Sequence, residues 1–128
     1  MPSYQNDFAG TAVVISGGAS GIGQATAEAF VTAGAHAIIV DRDAGRLTTV
    51  TTELREATPV HGDVSRWEDC EAAAQAARKS GRPVRALINC AAYFGSKGES
   101  ATAGDWDMSL GVNVKGTALM TSAVVRGS

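Results

Sequence analysis

Short apolar runs alternate with longer alanine-rich segments along this chain. "TAVVIS" (Thr11 to Ser16) is apolar at nearly every position, the pattern of a strand buried on both faces of a sheet. In "GIGQATAEAFVTAG", Ala25, Ala29 and Phe30 recur at helical spacing and Gly34 offers a C-terminal stop. "AHAIIVD" (Ala35 to Asp41) repeats the buried-strand pattern. Asp43 can cap a second helix running to about Ala57, which Pro59 stops from continuing. "PVHGDV" holds a short third strand. Ser65 and Glu68 have capping-box spacing ahead of a third helix, "RWEDCEAAAQAARKSG", which closes at Gly81. "VRALINCAA" (Val84 to Ala92) reads as a fourth strand. Thr102 and Asp105 repeat the capping pattern before a last helix, "DWDMSLGVNVKGTALMTSAVV", despite Gly111 and Gly116.

The order βαβαβαβα predicts an α/β fold with a parallel sheet and right-handed crossovers. No linker or low-complexity run divides the 128 residues, so one domain is expected. Hydrophobic residues at 45% and charged residues at 19% make an ordinary globular mixture. A net charge of −2 and scattered basic residues argue against nucleic acid or an anionic membrane as partner. Two cysteines, Cys70 and Cys90, are too few for a disulfide framework. Their flanks read as a helix and a buried strand. His36 and His61 have no partner at ligand spacing, so no metal is assigned. The start "MPSYQNDFAG" is no signal peptide, and no apolar stretch approaches membrane-spanning length. A cytoplasmic protein is expected.

The first strand runs directly into "SGGASGIG", Ser16 to Gly23. A strand-to-helix turn that admits an anion must bend tightly and expose its backbone, and glycine permits both. Free N–H groups at the helix start then face a phosphate. The spacing is G-x-x-x-G-x-G: Thr26 stands at the third glycine of the dinucleotide pattern G-x-G-x-x-G, and no Gly-Lys-Ser/Thr follows to make a P-loop. Asp41 ends the second strand, where an acid accepts hydrogen bonds from a ribose diol and repels a 2′-phosphate. That favours NAD over NADP, although Arg42 beside it has the chemistry to grip a phosphate.

With these features the sequence resembles the short-chain dehydrogenase/reductase family. Ser16 to Gly23 matches the family's T-G-x-x-x-G-x-G, with serine for threonine. The match implies cofactor contacts from Ser16, Gly17, Ser20, Gly21, Ile22 and Gly23. Asp41 fits the acid of NAD-preferring members. Asp63 and Val64 fit the pair that borders the adenine. "NCAA", Asn89 to Ala92, stands where the family has N-N-A-G, which implies roles for Asn89 and Ala91 at the cofactor. Cys90 and Ala92 depart from that pattern. "NVKG" fits the segment of the family's catalytic asparagine, here Asn113. The resemblance implies a Rossmann-like doubly wound sheet of order 3-2-1-4, truncated after the fourth βα unit. It implies NAD-dependent hydride transfer between nicotinamide and a small alcohol or ketone.

The family's catalytic serine and its Tyr-x-x-x-Lys come after that asparagine, and the chain stops at Ser128 before them. "YFGSK", Tyr93 to Lys97, matches Tyr-x-x-x-Lys by letter. Paired on a helix, a lysine would favour the phenolate. But the stretch lies upstream of Asn113, and Gly95 and Gly98 disfavour a helix, so a chance match in a loop is expected. Tyr93 and Phe94 have two readings, covering the sheet end or lining a pocket, and covering is preferred. Without a catalytic acid, the 128 residues are expected to bind cofactor and not turn over. An open fourth strand, with Val84, Leu87 and Ile88, should make the chain marginal in stability or self-associating. A non-catalytic nucleotide-binding module and a degenerate fragment needing a partner chain are the alternatives.

Overall fold

A computed structural model describes residues 6–93, 95 and 98–127. Four parallel strands, β1 (Ala12–Ser16), β2 (His36–Asp41), β3 (Ala57–His61) and β4 (Val84–Asn89), form one sheet of order β3-β2-β1-β4. This is the 3-2-1-4 order expected. Three helices alternate with the strands: α1 (Gly21–Thr32), α2 (Ala44–Leu54) and α3 (Trp67–Lys79). After β4 come α4 (Ala103–Leu110), a π-helical segment (Gly111–Gly116) and α5 (Thr117–Gly127).

The continuous apolar runs arise because both faces of the sheet are covered. Val13, Ile15, Ala37 and Ile39 point to one side, with Ala27 of α1 and Leu47 and Val50 of α2. Val14, Ile38 and Val40 point to the other, with Cys70, Ala73 and Ala77 of α3 and Met120 and Ala123 of α5. Neighbours in sequence thus serve opposite cores. β4 stands at the edge and is only half-buried along its length.

Several sequence expectations need correction. On α1 the buried positions are Gly23 and Ala27, and Ala25 and Ala29 face solvent. The helical period holds, but the buried face is the one that carries Gly23, where a Cβ would overlap the Gly17 carbonyl, and Ala27 one turn further on. The second helix ends at Leu54, not near Ala57: Arg55 turns at φ 65°, and Ala57 opens β3. Pro59 lies inside β3, which tolerates it because β3 is an edge strand. The Ser65–Glu68 capping box does not form. Arg66 is the N-cap and gives no side-chain cap, while the Ser65 amide and hydroxyl both donate to Asp63 Oδ1, at 2.9 and 2.7 Å. Asp43 does cap α2, accepting from Arg46 N at 3.0 Å, and Thr102 and Asp105 form a full capping box on α4. The fourth strand ends at Asn89, so Cys90 lies just past it, half-buried, rather than within a buried strand.

The last helical stretch is one continuous rod with a π-helical segment in its middle rather than a uniform α-helix. Gly116 explains part of its path. A Cβ there would stand 2.5 Å from Val64 Cγ2, so glycine lets the rod press against the loop after β3. Gly116→Ala is expected to destabilise the chain by about 1–2 kcal/mol, because overpacking outweighs alanine's helix propensity. Urea unfolding measures it. Val64→Ala in the same chain should recover part of the loss, and an unchanged midpoint for Gly116→Ala would count against this packing.

Candidate cofactor cleft

β1 and β4 are neighbours at the point where the chain, having wound outward through β2 and β3, returns to the other side of β1. Such a switch point opens a crevice in doubly wound sheets. Here it holds a cleft of about 760 Å³. One wall is the glycine loop: Gly17, Ser20, Gly21, Ile22 and Gly23. The end of β2 supplies Asp41, Arg42 and Asp43, and the turn after β3 supplies Gly62 and Val64. The segment after β4 closes the other side with Cys90, Ala91, Ala92 and Tyr93, and Val112 comes from the π-helical segment.

Gly17 makes the walls meet. Its φ is +70°, and a Cβ would lie 2.6 Å from Ala91 N. Any side chain would force β1 and β4 apart. Gly23 is confined differently, since a Cβ there would overlap the carbonyl of Gly17. The first turn of α1 can therefore lie directly on the loop. The Ser20 N-cap gives α1 no side-chain hydrogen bond, so its hydroxyl does not occupy the helix start. The backbone is a cradle shaped for an anion at a helix N-terminus. Ile22 projects from it with 81% of its surface exposed, an apolar side chain that a flat ligand would cover.

Asp41 is tied into this cradle. Its Oδ2 accepts from Ala19 N at 3.0 Å, and its Oδ1 accepts from Asp43 N at 2.9 Å. One carboxylate thus fixes the glycine loop against the end of β2 while it lines the cleft. Ser16 is almost completely buried. Its hydroxyl accepts from Ala91 N at 3.2 Å, and its carbonyl accepts from Cys90 N at 3.0 Å. The serine at the family's threonine position holds the β4 loop rather than facing the cleft. Asn89 pairs with Ser16 in the sheet register. Asp63 is set behind the lining, between Gly62 and Val64.

Burial pushes the Asp63 carboxyl up, but the hydrogen bonds from Ser65, with the charges of Arg42 and Arg66, outweigh that and hold it below the ordinary carboxylate range. Arg42 Nε lies 3.9 Å from Asp63 Oδ2. The Cys70 thiol is buried and donates to Val64 O at 3.2 Å; burial, with Asp69 and Asp63 nearby, pushes it up to about 11.

Asn113 does not point freely into the cleft. Its Oδ1 accepts from Tyr93 N at 2.7 Å and its Nδ2 donates to Tyr93 O at 3.1 Å. This pair of hydrogen bonds to one backbone residue fixes the segment after β4. Tyr93 lies in irregular backbone and lines the cleft, where covering of the sheet end was preferred. Lys97 and Phe94 lie outside the described residues. The sequence reading also missed the cleft contributions of Val40, Gly62 and Val112. Gly62 stood beside a recognised pair and was within reach, but the inward approach of Val112 has no local signal.

The model of the short chain dehydrogenase family matches residues 11–127. The chain belongs to that family. It is 32% identical to D-threitol dehydrogenase of Mycolicibacterium smegmatis over 90% of its own length and 46% of that enzyme. A 3-ketoacyl-(acyl-carrier-protein) reductase from Brucella melitensis, complexed with NADH, superposes with a TM-score of 0.85 at 33% identity, over 94% of this chain and 50% of the reductase. A short chain dehydrogenase/reductase from Burkholderia phymatum in complex with NAD gives 0.85 at 32%, over 98% and 45%. The chain therefore spans about half the length of these relatives. Among its described residues no helix is long and apolar enough to cross a membrane.

Two outcomes follow for this short-chain dehydrogenase domain. Asp63 is depressed in the folded state, so its contribution is present above its unfolded value, about 3.9, and is lost as pH falls through the lower folded value. Asp63→Asn should lose less stability than the native chain when acidified from about pH 7 to pH 3, read from urea midpoints. Parallel curves would remove Asp63 from the acid response. Because the thiolate is the reactive form, iodoacetamide at about pH 8 should modify Cys90 in the folded chain and spare Cys70. Equal labelling by peptide mass mapping would contradict this burial.

Proposed function

We propose that the chain is a single NAD(H)-binding Rossmann domain, the cofactor half of a short-chain dehydrogenase/reductase acting between an alcohol and a ketone. The observation that carries the reading is the bond from Ala19 N to Asp41 Oδ2. It holds a ribose acceptor and a phosphate cradle in one rigid unit. Gly17, Ser20, Gly21, Ile22 and Gly23 would receive the pyrophosphate, Asp41 the adenosine ribose, and Val64 with Asp63 the adenine edge. Ser16, Asn89 and Ala91 would set the floor beneath it. A bound nicotinamide supplies hydride acceptance or donation. The acid at Asp41 favours NAD over NADP.

Of the family's catalytic positions, these residues carry Asn113. Its amide is committed to Tyr93, which makes it a positioning residue for the wall beside the cofactor. The 128 residues alone are expected to bind and not turn over, which supports a second reading as a nucleotide-binding module completed by other residues. Self-association is proposed as well: β4 is an edge strand, and Trp106, Leu110 and Val114 are large exposed apolar side chains. A membrane or nucleic-acid partner is not proposed.

Isothermal titration with NADH tests the reading. Binding is expected, and Asp41→Asn should weaken it by about tenfold, since one charge-assisted bond is worth roughly 1.5 kcal/mol. Circular dichroism checks that the fold is kept. A folded chain that binds no NADH would sink the proposal, and steady NAD-dependent turnover of alcohols by these residues would sink the binding-only reading.

A further inference from the structure

Two charged groups, Arg42 and Asp63, face each other beside the cleft. Arg42 follows Asp41 directly and lines the cleft between the ribose acid and the adenine wall of Gly62 and Val64. Its backbone is pinned, because its carbonyl is 2.9 Å from the His61 ring at Nε2. Its side chain is 57% exposed, and its Nε is drawn to Asp63 Oδ2 at 3.9 Å. Asp63 is itself held still. The Ser65 amide and hydroxyl take its Oδ1, and its own amide donates to Asp69 Oδ2 at 2.8 Å. A carboxylate held by Ser65 therefore faces an exposed guanidinium whose backbone is anchored at its carbonyl.

The cleft already contains the determinant that opposes a 2′-phosphate, the Asp41 carboxylate. Arg42 is the group that would welcome one, since a guanidinium binds phosphate by paired N–H donors. Which of these neighbours governs depends on where the Arg42 side chain rests. We propose that Asp63 is a specificity-determining residue: it holds Arg42 toward the end of β3 and away from the ribose, and so keeps the cleft selective for the dinucleotide without a 2′-phosphate. The inference rests on the dinucleotide reading above. Asp63 acts here through Arg42 and is a positioning residue. Arg66 also lies near Asp63 electrostatically, but it is not part of the cleft lining.

The test is a double-mutant cycle on the full chain with NAD and NADP, reading the ratio of the two dissociation constants. Any change in adenine contact affects both ligands and cancels in the ratio. Asp63→Asn keeps an acceptor for Ser65 and so preserves the turn. It should shift the ratio toward NADP by about fivefold, the scale of one partly exposed ion pair. Arg42→Gln alone should change the ratio little, and in the Arg42→Gln background Asp63→Asn should have no further effect. A ratio unmoved by Asp63→Asn overturns the proposal. So does an equal shift in the Arg42→Gln background, because the lost negative charge would then act directly on the phosphate. A second readout needs no ligand. The Asp63 carboxyl, followed by NMR, should titrate at higher pH in Arg42→Gln, and an unchanged titration breaks the link between the two residues. If the folded chain binds neither dinucleotide, the dinucleotide reading and this inference both fall. Clear NAD binding with an unmoved ratio removes only the latter.

Discussion

The structure depends on the close approach of β1 and β4 at their C-terminal ends. Ser16 and Gly17 meet the backbone of Cys90 and Ala91 there. The serine hydroxyl and carbonyl take the two amides of the β4 segment. The glycine makes room, since any Cβ would lie 2.6 Å from Ala91 N, well inside the van der Waals contact distance. Polar groups buried at a strand end must find partners, and here those partners are supplied across the switch point. The contact therefore closes the sheet and shapes the cleft at once. Remove it, and the glycine loop and the β4 wall would no longer share a fixed frame.

From that frame the electrostatics are distributed in layers. Asp41 stitches the glycine loop to β2 and presents its carboxylate to the cleft. Asp63, one strand further out, is saturated by Ser65 and faces Arg42. The two acids have different surroundings because their hydrogen-bond partners differ: one is bound to the glycine loop, the other to the turn that begins α3. On the far side, Asn113 ties the π-helical segment to Tyr93. π-Helical turns within α-helices often mark functional sites. This one brings Val112 into the cleft and the asparagine amide onto the neighbouring backbone.

The elements and their order were legible in the residues. Apolar runs of five or six residues between helical repeats leave few alternatives to a parallel sheet, and the glycine spacing with Asp41 located the cleft. Errors fell where local pattern and tertiary contact disagree. Ala25 and Ala29 have the right period for a buried stripe, yet the face that packs inward is set by Gly23, which lies against the Gly17 carbonyl, and so carries Ala27 with it. Ser65 has the spacing of a cap, yet its amide and hydroxyl bond to Asp63 and the helix starts one residue later, with Arg66 at the N-cap. The second helix is three residues shorter than its pattern suggests, because Arg55 turns the chain at φ 65° and lets Ala57 open β3.

By itself the sequence determined the alternation of strands and helices, the conformational freedom at Gly17, and the acid at the end of β2. These depend on side-chain period and on backbone sterics, which are local. Only the tertiary structure decided that Ser16 binds Ala91, that Asn113 grips Tyr93, and that Arg42 leans toward Asp63. Each of those pairs joins residues separated by at least twenty positions. Their geometry is set by how the sheet and helices pack, and no short-range pattern encodes it.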